Sequence, residues 1–87
     1  METAENRLKR LDMRSRRRGI KEMDIILARF SERLLAGLSA DDLDLYESLL
    51  SENDHDILQW VTGQTASPNS YVALTRLITS HTGVEAK

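Results

Sequence analysis

Apolar residues in this chain recur three or four positions apart, and most of the stretches that show this spacing run up to a glycine. The spacing puts side chains on one face of an α-helix, whereas a half-buried strand would need strict alternation. The longest stripe is Ile20, Met23, Leu27, Phe30 and Leu34; Leu43, Tyr46 and Leu50 repeat it, then Ile57, Trp60 and Val61, then Tyr71, Leu74 and Ile78. Gly19, Gly37, Gly63 and Gly83 each follow such a stretch, where a residue without a Cβ can take left-handed backbone and close a helix. Start signals complement these stops. Ser39 with Asp42 reads as a capping box with Asp in place of Glu, Asn53 or Asp54 can cap a short helix, and Ser67-Pro68 puts proline at a first helical position. Five helices are predicted, at about residues 4–17, 20–35, 40–51, 54–62 and 68–81. The fold class is all-α, a small single-domain bundle with Met23, Leu27, Phe30, Leu50, Trp60, Leu74 and Ile78 in its core.

The first helix is the poorest of the five. Its stripe is Ala4, Leu8, Leu11 and then Ser15, so it is expected to dock weakly, with flexible ends at 1–6 and 83–87. At 87 residues the chain has room for one modest core and no second domain. The absence of Cys excludes disulfides, thiolate metal sites and Cys nucleophiles. No apolar run approaches the roughly 20 residues that span a bilayer, so membrane insertion is not expected. Neither a secretory leader nor an acid-poor transit peptide is read at the N-terminus, where Glu2, Glu5 and Asp12 interrupt the arginines. The expectation is a chain starting at Met1 in a reducing compartment, the bacterial cytoplasm.

Charge is unevenly placed. Residues 1–33 hold ten Lys/Arg and six acids, a net of +4, while residues 34–87 carry a net of −6. Arg7, Arg10, Arg14 and Arg17 share one helical face and Arg18 extends it; guanidinium groups there offer planar, bidentate donors to carboxylates or phosphates. Crowded like charges cost stability, so either a partner or this chain's own acids must supply the anions. Catalytic material is scarce. His55 and His81 fit no metal-ligand spacing, Asp54-His55-Asp56 reads as helix-start capping, and no phosphate-binding glycine loop or G-x-S-x-G elbow is present. The chain is not expected to be an enzyme or to hold a metal.

Arg18-Gly19-x-x-Glu22 followed by Asp24 resembles the R-G-x-x-E signature of the small succinate dehydrogenase assembly factors, the flavinylation factors. Arg7-Leu8-Lys9-Arg10-Leu11 and Arg14 to Arg18 are similar to the family's basic lead-in. Leu49-Leu50-Ser51-Glu52 through Asp54, Asp56, Ile57, Leu58 and Trp60 resembles its later L-L-x-x-x-D-x-D-L-x-x-W stretch. Asp12 and Met13 depart from it, standing where apolar or aromatic residues are expected. The resemblance implies a five-helix chaperone that binds the flavoprotein subunit of succinate dehydrogenase, and often of fumarate reductase, and promotes covalent FAD attachment there. It implies no cofactor of the chain's own: FAD belongs to the client, and direct binding of free FAD is left open. The free chain is expected to be a monomer. The implied partner-binding residues are Arg18, Gly19, Glu22 and Asp24, with Arg17, Ile20, Arg14 and Arg10 beside them. Arg18 would pair with partner acids or hold the loop, Gly19 would allow close backbone approach at a left-handed bend, and Glu22 would accept hydrogen bonds. The alternative reading of the same stripe is a nucleic-acid binder or an antitoxin-like interaction module. An acidic body and a pI near 5.6 count against nucleic acid.

Overall fold

A computed structural model describes residues 2–82, and helices dominate them. Five α-helices run in the order α1 (Ala4–Arg16), α2 (Lys21–Leu34), α3 (Ala40–Leu50), α4 (Asp54–Val61) and α5 (Val72–Thr82), with short 3-10 turns at Leu35–Gly37 and Asn69–Tyr71. Side-chain oxygens start three of them. Thr3 Oγ1 accepts from the Asn6 N–H, Ser39 Oγ from the Asp42 N–H, and Asn53 Oδ1 from the His55 N–H, each satisfying a donor with no partner inside its helix.

The fifth helix begins later than its proline suggested. Pro68 keeps an extended ψ of 146° and precedes the 3-10 turn, so the α-helix starts only at Val72. The ring fixes φ but leaves ψ free, which is why proline marked the neighbourhood of the start and not its position. The glycines also divide. Among the described residues only Gly63 has a positive φ, at 79°, and it ends α4 as a left-handed cap. Gly37 lies inside a 3-10 turn and Gly19 in a linker, neither left-handed. Gly83 and the expected loose end at 83–87 lie outside the described residues.

α2 is the centre of the fold, packing on α1, α4 and α5; the middle of its stripe is buried as the spacing required, and Ile20 and Leu34 at its ends are half-buried. Met23, Leu27 and Phe30 are fully enclosed, and Phe30 meets the ring of Tyr46 at 5.1 Å. Leu50, Leu74 and Ile78 join them. Trp60 does not: it is half-buried at the edge of the core, stacked on Tyr71 at 5.8 Å. α4 ends one residue later, at Val61.

α1 docks more firmly than its sparse stripe suggested. Leu11 and Ser15 are fully buried, and Ser15 Oγ bonds both the Leu11 carbonyl, at 2.8 Å, and the Tyr46 hydroxyl. A serine that fills its hydrogen bonds internally can be enclosed like an apolar residue. Burial in the same place pushes the Tyr46 phenol up to about 12. Asp12 is used rather than misplaced, since its carboxylate accepts from Ser31 Oγ at 2.6 Å and from Arg16 at 2.9 Å. At the expected loose start, Glu2 lies against Arg10 and α1 begins at Ala4.

Candidate functional site

The turn between α1 and α2 brings four helix ends together. α1 stops at Arg16, Arg17 leaves the helical region at φ −128° and ψ 68°, and Ile20 is extended before α2 begins at Lys21. A four-residue linker has no ladder to satisfy its backbone, so its N–H groups need other acceptors. The Arg18 N–H donates to the Asp24 carboxylate in the first turn of α2. The Gly19 N–H donates to Asp54 Oδ2, at 2.7 Å, across at the first residue of α4.

Arg18 points into the molecule. Its Nε donates to Asp54 Oδ1 at 2.8 Å, its Nη2 lies 2.7 Å from the same oxygen, and Nη2 also donates to the Leu50 carbonyl at 2.7 Å. The last carbonyls of a helix carry partial negative charge and lack partners within the helix, so a guanidinium at the end of α3 is stabilised twice over. The Arg18 side chain is only 10% exposed and that of Asp54 17%. Of the two roles implied for Arg18, holding the loop matches the geometry. Gly19 is exposed, but its backbone is not left-handed, and a Cβ built there would stand 3.4 Å from Asp54 Oδ2, an ordinary contact. The expectation of a strained glycine is thereby corrected.

Glu22, in the first turn of α2, is exposed. Its carboxylate makes no ion pair or hydrogen bond among the described residues, and the helix N-terminus favours its charge. Arg17 is likewise exposed. Asp24 is half-buried and occupied by Arg18, and Ile20 packs against the core. The structure therefore gathers Arg17, Gly19 and Glu22 at the surface and sets Arg18, Ile20 and Asp24 beneath them.

The first two arginines of the stripe find their anions inside the chain. Arg7 Nη2 pairs with Asp44 at 2.6 Å and Glu47 at 3.2 Å, and Arg10 with Glu2 at 2.7 Å and Glu47 at 2.8 Å. Arg14 reaches Ser51 Oγ at 3.3 Å. The Arg10 guanidinium, with Arg7 behind it, holds the Glu47 carboxyl below the usual carboxylate range, and Arg10 does the same to Glu2. Asp44 and Glu47 of α3 thus neutralise the N-terminal half of the basic face of α1, while Arg14 and Arg17 pair with no acid among the described residues. Sequence reasoning read Asp54-His55-Asp56 as capping and missed Asp54 as the acceptor for the turn. A signal was present: Asn53 already supplies the cap, which leaves the Asp54 carboxylate free for something else.

Concave surface lies elsewhere. A groove of about 670 Å³ runs between α4, α5 and the loop joining them, walled by Trp60, Val61, Val72, Thr75, Arg76 and Thr79. Its threonine hydroxyls are turned inward, Thr75 onto the Val72 carbonyl and Thr79 onto that of Val61. No group of three or more His, Asp or Glu side chains that could hold a metal occurs among the described residues, and none of their helices is long and apolar enough to cross a membrane.

Fold and site together define a small helical module whose distinctive surface is a braced inter-helix turn. Comparison with known proteins gives the family. Residues 9–82 match the family described as the flavinator of succinate dehydrogenase, and the chain belongs to it. It is 51% identical over 53 residues to the mitochondrial succinate dehydrogenase assembly factor 2 of Debaryomyces hansenii, covering 61% of this chain and 37% of that protein. The protein of the same name in Meyerozyma guilliermondii is 48% identical over 61 residues, covering 70% and 45%. The mitochondrial assembly factor 2-B of Drosophila mojavensis is 38% identical over 72 residues, covering 80% and 46%. The chain thus spans less than half the length of these relatives. They are assembly factors and not enzymes, in agreement with the non-catalytic class read from the sequence. Their names correct one expectation: they are mitochondrial proteins of eukaryotes, which overturns the bacterial cytoplasmic assignment. Acids among the N-terminal arginines do not fix a compartment.

Proposed function

We propose that this chain binds the flavoprotein subunit of succinate dehydrogenase and promotes covalent attachment of FAD to it, through the exposed surface of Arg17, Gly19 and Glu22. The observation that carries this reading is the family match, which runs from the middle of α1 across the braced turn to the end of α5. The geometry supports it, because a turn tied to four helix ends presents its surface with little conformational entropy left to lose on binding. The chain supplies no redox chemistry; FAD is the client's, and the factor acts by preferring the client conformation competent for attachment. Arg14, which meets a serine and no acid, serves with Arg17 as a basic flank that steers encounter, Arg10 being occupied by Glu2 and Glu47, and Asp24 and Ile20 support the turn from below. A nucleic-acid reading has less to work with, since Arg7 and Arg10 are already paired with acids.

The test is covalent flavin on the client, read as in-gel fluorescence after incubation of the purified flavoprotein subunit with FAD and this chain. A fumarate reductase flavoprotein runs in parallel. Glu22→Ala is expected to leave the melting temperature unchanged and to lower flavinylation. Full flavinylation with that variant as the sole factor removes Glu22 from the contact, and no stimulation by the wild-type chain removes the function.

A further inference from the structure

We propose that Asp54 is a positioning residue for the client contact: its carboxylate holds the turn in the arrangement that presents Gly19 and Glu22 together. Arg18 is spent in that holding and does not itself reach the client. The inference rests on the reading that Glu22 contacts a client protein.

Three observations converge on Asp54. Both of its oxygens are committed to the turn, Oδ1 to the Arg18 guanidinium and Oδ2 to the Gly19 N–H, and neither serves α4, which Asn53 caps. The pair is largely enclosed, so a client carboxylate could recruit Arg18 only by breaking its bonds to Asp54 and to the Leu50 carbonyl. The N–H donors of the turn are held from two directions, Gly19 by α4 and Arg18 by Asp24 of α2, which fixes the linker relative to the helix that carries Glu22. Removing Asp54 frees the Gly19 end of that link while α4 keeps its cap. The linker then samples several conformations, and Glu22 meets the client from an unfixed neighbour.

A positioning residue must act through Glu22, and a double-mutant cycle detects this. Affinity for the purified flavoprotein subunit is measured with the full chain as wild type, Asp54→Ala, Glu22→Ala and the double variant. Asp54→Ala is expected to weaken binding by about tenfold. In the Glu22→Ala background the same change is expected to cost less than about threefold, because coupled residues do not contribute additively. Asp54→Asn, which keeps an acceptor for the Gly19 N–H, is expected to fall between wild type and Asp54→Ala and serves if Asp54→Ala fails to fold. Equal losses in both backgrounds, or a loss that tracks the melting temperature alone, overturn the proposal.

Amide NMR of the free chain separates this inference from the client reading. Asp54→Ala is expected to shift the Gly19 and Glu22 resonances and speed Gly19 exchange, while Ile57 and Val61 stay in place. If Gly19 and Glu22 do not move, the proposal falls whatever the client does. If they move but wild type binds neither flavoprotein subunit, the positioning of the turn stands and the client reading falls.

Discussion

Arg10 and Arg18 each reach a carboxylate in the acidic half of the chain, Arg10 at 2.8 Å from Glu47 and Arg18 at 2.7 Å from Asp54. The distances are alike and the settings are not. Arg10 and Glu47 have side chains 38% and 32% exposed, so water and salt screen them; Arg18 and Asp54 are at 10% and 17%, and their remaining donors and acceptors are used by Leu50 and Gly19. An exposed pair adds little once desolvation and side-chain entropy are counted, whereas an enclosed one is costly to break from one side. The stripe therefore neutralises a face, and the clasp fixes a turn.

The comparison is tested most severely beneath the stripe. If apolar burial rather than ion pairing docks α1, Leu11→Ala should cost about 2–5 kcal/mol in chemical denaturation, the range for a large side chain truncated in a core. A loss no greater than that from deleting a stripe arginine would mean that the ion pairs hold the helix. Arg18→Ala should come next, at about 2–4 kcal/mol, because it leaves the Asp54 carboxylate and the Leu50 carbonyl enclosed with fewer partners. If that loss disappears in 1 M salt, the clasp is no better shielded than the stripe.

The stripe itself should respond to pH and hardly to truncation. Arginine neighbours hold the Glu47 and Glu2 carboxyls below their ordinary values in the fold. Their contribution is therefore present above the unfolded carboxyl pKa of about 4.3 and is lost as pH falls through the lower folded values. Thermal melts should show this decline in acid, and Glu47→Gln should flatten it. Arg10→Ala should lower the neutral-pH melting temperature only slightly, by no more than wild type loses in acid, since Glu47 keeps Arg7 and water. It should also flatten that acid decline, since Arg10 is the main cause of both lowered carboxyls. The smallest effect is expected at the exposed edge of the clasp, where Gly19→Ala should change stability by no more than about 0.5 kcal/mol, as its backbone is not left-handed and a Cβ there meets ordinary contact. A large loss would show that the turn has no room for a side chain.

Local signals were legible wherever one segment decides the outcome. The α2 stripe, the Ser39 cap and the Gly63 stop each depend on residues a few positions apart, and the structure follows them, although the reciprocal Asp42 bond of a full capping box does not form. Trp60 and Ser15 were misjudged because burial depends on what an element packs against: Trp60 lies at the edge of the core in the last turn of a short helix, while Ser15 meets Tyr46 from another one. In the site, Gly19 and Glu22 were readable as a surface pair, and the direction of Arg18 was not. A guanidinium beside a turn suits a partner's acid and the chain's own equally well until the acid at position 54 has been placed.

The sequence by itself determined five helices, an apolar face for each, a basic first helix and an acidic remainder, because periodicity and charge are properties of segments. It also carried the R-G-x-x-E pattern, which the residues resemble without any fold. Only the tertiary structure decided that α3 would neutralise Arg7 and Arg10, that Arg18 would turn inward and that Asp54 would hold Gly19. Those contacts join residues more than thirty positions apart, and their strength depends on how much water the packing removes, which no local pattern encodes.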